Sequence, residues 1–563
     1  METFFSFYIY LPANTYIIKI SFINFYCSSY DKNENSFKKV VFTKNYECGN
    51  KDIMREFNDF LTFLNDNMSE IKILMKESLE AKEDHPFKFF AIPFQIYYVK
   101  KYESKFKKTE YMNFNVLERV IKEGIQGIVL DQMTKILLCE FEYYKKTHNS
   151  EDKYLEFCKD FLSKEVIEKI FEKYPVGFRT VLEMSNLLIQ YLKEIEDNVI
   201  RDYEELTKIF DIYGKVQKIE MNLGDTHRGK KSVAILVFEK NKIVYKPRNL
   251  SVDEKFKEFI DYISCTIKCK LLLPKVKNKE MYGWQEYVES SNCNSEQEVK
   301  NFYYRIGIYT AIFYVLKATD LHMDNIICKG EYPVFIDLES LFQGYRGKRA
   351  KQNTNYEGYV KEIRSSVLST CLFPGVVNYC NSKYDISGIT GKGGQILAKR
   401  ALVLDKAFSS DMKMIKKDYV VPEKKNIPVY KEKLVEPRKY AKQILDGFKI
   451  AYEFLEENQK DVISYLKNFF ECPIRVILRD TAKYSLLLRA STEEKYMRDA
   501  KYRNQLFDRL WNMVGEEESF IKIVKSEEED LCKGDVPYFY TFLLSTNLYD
   551  SKDRKIVDFF KLF

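Results

Sequence analysis

Apolar residues recur three and four apart from Asp52 to about Phe210: Ile53, Phe57, Phe60, Leu61 and Leu64 set the pattern, and Leu155–Phe171 and Val181–Phe210 repeat it. That period puts an apolar stripe along each helix and predicts a largely helical scaffold. The period then changes. Ser232–Phe238 and Lys242–Lys246 are short apolar runs around Glu239-Lys240-Asn241, which predicts a hairpin ending in Val244-Tyr245-Lys246-Pro247-Arg248. A helix is expected from about Val252 to Thr266, strands at Leu271–Val276 and Trp284–Val288, and a long amphipathic helix at Glu296–Leu316. Tyr332–Ile336 has strand length and closes a short hairpin within Ala318–Phe342. Helices resume from Glu436 to Phe469, and another runs through Trp511.

These changes of period divide the chain into a strand-like segment at 1–50, a helical scaffold at 51–215, an N-lobe at 216–295, a C-lobe with an activation-type loop at 296–435, and a C-terminal helical part at 436–563. Gly344–Ser369 is long, basic and aperiodic, as expected of a mobile loop beside a substrate cleft. The glycine-rich run Asp385–Gln395 neither follows a strand nor opens a helix, which argues against a nucleotide loop.

Composition changes this picture little. Of 563 residues, 45% are hydrophobic and 31% charged, an ordinary globular balance, and the net charge of +7 over such a length makes no case for nucleic acid. The apolar run Phe4–Cys27 is broken by Pro12, Asn14, Lys19 and Asn24, which predicts strands and no integral membrane segment. Twelve cysteines show no repeated Cys-x-x-Cys spacing and follow no secretory leader, so reduced thiols in the cytoplasm are expected. Cys265 and Cys269 can share a helix face and are expected in the core.

Chemistry concentrates in three clusters. In Ala318–Phe342, Asp320, Asn325 and Asp337 are a carboxylate, an amide and a second carboxylate in the order of a phosphoryl-transfer site: one to steer the attacking hydroxyl, two to hold Mg2+. Lys246 ends the hairpin where a kinase places its phosphate-pairing lysine. Hairpin with lysine, helix, strands, helix, catalytic loop and metal strand follow the order of a two-lobed kinase. The second cluster, Gly224-Asp225-Thr226-His227-Arg228-Gly229, has the glycines of a tight turn whose N–H groups and Arg228 suit phosphate oxygens; the competing account is a capped surface turn. The third is Arg475–Tyr484, expected to be extended, so that Arg475, Arg479 and Thr481 share one face and suit a phosphate ester, unless they line a solvated strand edge.

The stretches GDTHRGKKSVAILVFEKNKIVYKPRNLSVDEKF, YGWQEYV, ATDLHMDNIICKGEYPVFIDLESLFQ, DISGITG, RVILRDTAKY and GDVPYFY resemble the dehydratase domain of class II lanthipeptide synthetases, the LanM-type enzymes, from about Glu172 to Phe560. That resemblance implies an α+β fold, a two-lobed lipid-kinase-like catalytic core embedded in a largely helical scaffold. It also implies a dehydratase that phosphorylates Ser and Thr of a ribosomal precursor peptide with ATP and Mg2+, then eliminates phosphate to give dehydroalanine and dehydrobutyrine. Lys246, Asp320, His322, Asn325 and Asp337 match the phosphorylation set, with Asn325 and Asp337 on the metal. Asp225, His227, Arg475 and Thr481 match the elimination set, in which Asp225 would orient His227 as a proton shuttle. The implied partners are a precursor peptide, a leader plus a Ser/Thr/Cys-rich core, and a separate lanthipeptide cyclase, since no histidine follows His322 to complete a Cys/His zinc site. Competing readings are a peptide or protein Ser/Thr kinase without elimination, an inactive truncated synthetase fragment, and a non-catalytic peptide-binding subunit that keeps the fold; the intact set Lys246, Asp320, Asn325 and Asp337 argues against the last.

Overall fold

The computed structural model describes residues 50–106, 109–343, 365–374, 378–379, 382–513 and 518–557, within a compact unit that starts at Val40. The expected strands at Phe4–Cys27 and most of the expected loop at Gly344–Ser369 lie outside the described residues.

Helices come first, as the three-to-four spacing predicts: α1 (Asn50–Ala81), α2 (Ile92–Glu103), α3 (Phe114–Thr147), α4 (Lys153–Asp160), α5 (Lys164–Lys173) and α6 (Pro175–Phe210). Polar residues start several of them. The side chain of Asn113 accepts from Asn115 N at 3.0 Å ahead of α3, Asp152 accepts from Leu155 N at 3.0 Å ahead of α4, and Pro175 opens α6. Their shared face is aromatic. Phe60 stacks on Phe94 at 4.6 Å and Phe171 on Phe178 at 3.8 Å, so the period of the sequence becomes a ring-packed core.

Strand β1 (Tyr213–His227) follows, then β2 (Lys231–Lys240), β3 (Lys242–Lys246), β4 (Val276–Asn278) and β5 (Gly283–Glu286), an antiparallel sheet in the order β1-β2-β3-β5-β4. The predicted hairpin is β2–β3. Strand β1 is a correction: the Gly224–Gly229 cluster does not stand alone as a turn, because His227 pairs with Lys231 and only Arg228–Lys230 turn, with Arg228 and Lys230 at positive φ. Leu271–Lys275, expected as strand, is irregular, and pairing begins at Val276. Polar side chains of α6 bind the back of the sheet: Asn198 Nδ2 donates to Tyr245 Oη at 2.9 Å, and Asp202 accepts from Trp284 Nε1 at 2.8 Å and Tyr282 Oη at 2.6 Å. Neighbours on a strand face opposite ways, so fixing Tyr245 against α6 turns Lys246 toward the other side.

The remaining elements include α7 (Ser251–Thr266), α8 (Glu296–Val315), the hairpin β6 (Ile326–Lys329) and β7 (Tyr332–Phe335), the two-stranded ribbon β8 (Ile396–Asp405) and β9 (Lys413–Val420), α9 (Ala441–Glu457) and α10 (Gln459–Lys467). Phe256, Phe313, Phe335, Leu338 and Phe454 belong to one buried cluster beneath the β6–β7 hairpin. Of the two cysteines expected to share a helix face in the core, Cys265 is exposed on α7 and Cys269 is half-buried beyond its end at Thr266. A second sheet, β10 (Pro473–Arg475), β11 (Tyr540–Phe542), β12 (Leu548–Tyr549) and β13 (Lys555–Val557), is flanked by α11 (Thr481–Ser491), α12 (Glu494–Arg498), α13 (Ala500–Phe507) and α14 (Glu518–Cys532). The architecture is α+β. No helix among the described residues is long and apolar enough to cross a membrane.

Helices α8 and α9 cross with their backbones in contact. A Cβ on Gly307 would fall onto the carbonyl of Ile444, and one on Gly447 onto the carbonyl of Tyr304. Backbone cannot move aside as a side chain does, so Gly307→Val and Gly447→Val should each lower stability by about 1–3 kcal/mol, the usual cost of overpacking, read as a lower urea midpoint. A Gly127→Ala control, where an added Cβ meets nothing, should stay near wild type or rise.

Candidate active site

The Asp320 loop rests on the core through four apolar residues spaced along it. Ala318, Leu321, Met323 and Ile326 are buried. Its backbone is tied to separate segments: Thr319 N donates to Ser340 O at 3.1 Å, Leu321 N to Thr370 O at 3.0 Å and Met323 N to Ile386 O at 3.0 Å. The glycine-rich run excluded as a nucleotide loop thus has a structural place. His322 pairs with Ser387 in an isolated bridge, and a Cβ on Gly388 would press on Leu321 O at 2.6 Å. Asp320 is held at φ 66°, a left-handed conformation that aspartate tolerates better than most residues.

Within the loop, Asn325 Nδ2 donates to Asp320 O at 2.8 Å, which fixes the amide so that Oδ1 faces the other way as an acceptor. Asp324 N donates to His322 Nδ1 at 3.2 Å, and His322 Nε2 lies 3.8 Å from Asp320 Oδ1. Partial burial pushes the Asp320 carboxyl above its usual range, against the pull of His322 and Arg475.

Asp337 ends the β7 segment, as expected, and sits in a chain of ion pairs. Arg248 Nη2 donates to Asp337 Oδ1 at 2.7 Å, Arg248 Nη1 to Asp253 Oδ2 at 2.8 Å, and Arg248 Nε lies 3.3 Å from Glu339 Oε2. Lys246 Nζ is 3.9 Å from Asp337 Oδ1 and donates to Ile336 O. Burial alone would raise the Asp337 carboxyl, but Lys246, Arg248 and Arg475 overcome it and hold the group well below the carboxylate range. Lys246 is only 5% exposed, and burial lowers its pKa against the pull of Asp337.

The chain of charge continues into the second half of the site. Glu339 Oε1 accepts from Arg475 Nη1, and Arg475 Nη2 faces His227 Nε2 at 3.4 Å. His227 Nδ1 donates to Val536 O at 2.6 Å, which leaves Nε2 as the acceptor facing Arg475 Nη2. Burial, then the neighbouring Arg475, pushes its pKa down to about 3. The structure therefore joins Lys246, Asp337, Arg475 and His227 in one network, with the Asp320 loop within reach of its field.

Several expectations are corrected. Asp225 is exposed and does not orient His227; the Val536 carbonyl does. Arg475, Arg479 and Thr481 do not share a strand face, because β10 stops at Arg475 and Asp480 caps a helix that begins at Thr481, its Oδ1 accepting from Ala482 N at 3.0 Å. Arg479 instead donates to the buried Glu527 at 2.7 Å. Arg228 pairs with Asp553 at 3.0 Å and lies over the rings of Tyr538 and Tyr540. Sequence reasoning missed Arg248, Glu339 and Asp535. The first two stand two residues beyond Lys246 and Asp337, past the ends of β3 and β7, where no strand period marks them. Asp535 carried no signal either: its carboxylate accepts from Gly229 N at 2.6 Å and Lys230 N at 2.9 Å across the fold.

Residues 174–542 match a family described as a domain of unknown function, DUF4135, which is associated with LanM-type synthetases. The chain belongs to the DUF4135 family. It is also 26% identical over 482 residues to the lacticin 481/lactococcin biosynthesis protein LcnDR2 of Lactococcus lactis subsp. lactis, a match covering 80% of this chain. The chain spans about half the length of that relative, 50% of which is covered. The likeness to class II lanthipeptide synthetases drawn from the motifs is borne out at this level. The DUF4135 match contains Lys246, Asp337, Arg475 and His227, and ends just past Tyr538.

Neutral His227 has a measurable consequence. An unfolded chain takes up a proton on this ring near pH 6.5 and the folded chain only near 3, so His227 makes stability fall as pH drops across that window. The chain has only four histidines, so 15N-histidine NMR should resolve His227 as a neutral Nδ1–H ring at pH 5. His227→Gln should flatten the loss of stability between pH 6.5 and 4.

Proposed function

We propose that this chain is a lanthipeptide dehydratase that phosphorylates Ser and Thr of a ribosomal precursor peptide and then eliminates phosphate. The observation that carries the proposal is the unbroken ionic chain from Lys246 and Asp337 through Arg248 and Glu339 to Arg475 and His227. A kinase that stops at the phosphate ester has no use for the second half. The lantibiotic biosynthesis role named for the Lactococcus relative, and the motifs shared with the LanM-type dehydratase domain, support the same reading.

ATP and Mg2+ belong to the proposal, as does a lipid-kinase-like core. The residues fit them. Lys246 and Arg248 both approach Asp337 through Oδ1, which leaves Oδ2 of an ionised carboxylate and the fixed Asn325 Oδ1 as hard oxygen donors suited to Mg2+. Bound nucleotide would supply the phosphoryl group, and the metal would offset its charge. In the first step the Ser or Thr oxygen would bond the transferred phosphorus as the bond to the nucleoside diphosphate breaks, and Asp320, its carboxyl already pushed up and 3.8 Å from His322 Nε2, would take the hydroxyl proton. Lys246, buried and compact, faces the nucleotide phosphates.

In the second step the electrons of the Cα–H bond form the Cα=Cβ bond, the Cβ–O bond breaks, and the oxygen leaves with phosphate as the α proton passes to a base in the cleft. Arg475 holds the departing phosphate, whose negative charge a guanidinium stabilises. Asp225 and Thr481 act on the phosphopeptide from the rim, and Arg228, beside Tyr538, acts on its phosphate. The precursor peptide is the implied partner, and the cytoplasm the implied compartment.

Mass spectrometry of a Ser/Thr-rich peptide incubated with ATP, Mg2+ and the chain tests this. Wild type should remove about 18 Da per site, and Arg475→Ala should leave a gain of about 80 Da, the mass of an added phosphate. Asp337→Asn should cut the first step about a hundredfold or more, the scale of losing one preorganised charge. A stable phosphopeptide from wild type would mean a kinase alone, and unchanged dehydration by Arg475→Ala would remove its assigned role.

A further inference from the structure

The segment Gly534–Tyr540 is fastened to both halves of the elimination side. Val536 N donates to Thr226 O at 2.9 Å, the Asp535 carboxylate accepts from Gly229 N and Lys230 N, and His227 Nδ1 donates to Val536 O. On the other flank Val476 N donates to Phe539 O at 2.8 Å, and Tyr540 pairs with Arg475 across β10 and β11. Tyr538 is thereby carried to the point where the β1–β2 turn and the Arg475 strand meet.

Three functional groups converge on its ring. The Arg228 guanidinium carbon lies 4.9 Å from the ring centroid and that of Arg475 5.4 Å, while the His227 imidazole meets it edge-on at 5.5 Å and 63°. An aromatic face attracts a guanidinium and fixes its plane, so the ring sets how Arg475, held by Glu339, and Arg228, held by Asp553, present their remaining N–H groups to an anion. The Tyr538 hydroxyl has no hydrogen-bond partner among the described residues. The ring, then, is what the structure uses.

We infer that Tyr538 is a positioning residue for phosphate elimination: its ring holds Arg475, Arg228 and His227 in the arrangement that receives the leaving phosphate. This rests on the dehydratase reading and adds to it a residue that neither the Asp320 loop nor the Arg475 motif contains. Phosphorylation, which draws on Lys246, Asp320, Asn325 and Asp337, does not depend on the ring, so the two steps should separate.

The test compares Tyr538→Leu and Tyr538→Phe on a synthetic Ser/Thr-rich peptide and on its phosphoserine counterpart. Tyr538→Leu should phosphorylate at the wild-type rate, which also shows that it folds. It should release phosphate from the phosphoserine peptide about tenfold more slowly or worse, the scale of a lost cation–π contact, and so accumulate phosphopeptide. Tyr538→Phe keeps the ring and should restore elimination. Wild-type elimination by the leucine variant overturns the inference. So does equal impairment of the phenylalanine variant, which would make the hydroxyl the working group, and so does parallel loss of both steps, which would make the role one of folding. A wild-type chain that acts on neither peptide sinks the dehydratase reading itself, whereas a wild-type chain that completes both steps while Tyr538→Leu matches it sinks only the role of Tyr538.

Discussion

Arg248 holds the site together. Its guanidinium touches Asp253 from helix α7, Asp337 from the end of the β7 segment and Glu339 two residues on, and Glu339 in turn holds Arg475. A fork of donors in one plane suits several carboxylates at once, as a lysine does not. Each charge is buried with an opposite neighbour, so removal of one leaves another uncompensated, which is far more costly than the pair is stabilising. That asymmetry makes the network a constraint on geometry more than a source of stability: the sheet carrying Lys246, the Asp320 loop and the Arg475 strand have little freedom to separate.

The two ends of this network have different electrostatic characters. At Asp337 the surrounding cations keep a carboxylate ionised against burial, which suits a metal or phosphate partner. At His227 a cation and burial act together to keep the imidazole neutral. The proton on Nδ1 is committed to the Val536 carbonyl, so the ring offers only Nε2, and it offers it toward Arg475. A phosphate arriving between them would meet a donor and oppose the field that holds the ring neutral. One cleft can thus favour two steps that ask opposite things of its groups.

Legibility in the sequence followed the range of the interaction. The helices of 51–210, the β2–β3 hairpin and the β6–β7 hairpin were visible because each depends on periodicity within a few residues. Strand β1 was missed because its alternation is broken by Gly214, Gly224 and four register irregularities, and its pairing is supplied by β2. The run after Arg475 has the consecutive apolar residues of a strand in Val476, Ile477 and Leu478, the first two β-branched, yet Asp480 caps a helix there, and a cap outweighs so short a run. Among site residues, Asp320, Asn325 and Asp337 were legible as types at a spacing. Arg248 and Glu339 were quoted within motifs but could not be assigned, since their roles lie in each other.

By itself the sequence determined which groups are present and which local elements carry them: a lysine at the end of a hairpin, an Asp-x-His-x-x-Asn loop before a short strand, an arginine on a third segment. These follow from propensity and periodicity, which act over one element. Only the tertiary structure decided that Val536, and not Asp225, orients His227, that Arg479 serves a buried glutamate instead of the cleft, and that Tyr538 stands between two guanidiniums. Such contacts join residues from 48 to about three hundred positions apart, and nothing local in the chain selects one distant partner over another; that choice is made when the sheet, the helices and the C-terminal segment are packed into one buried, charge-balanced site.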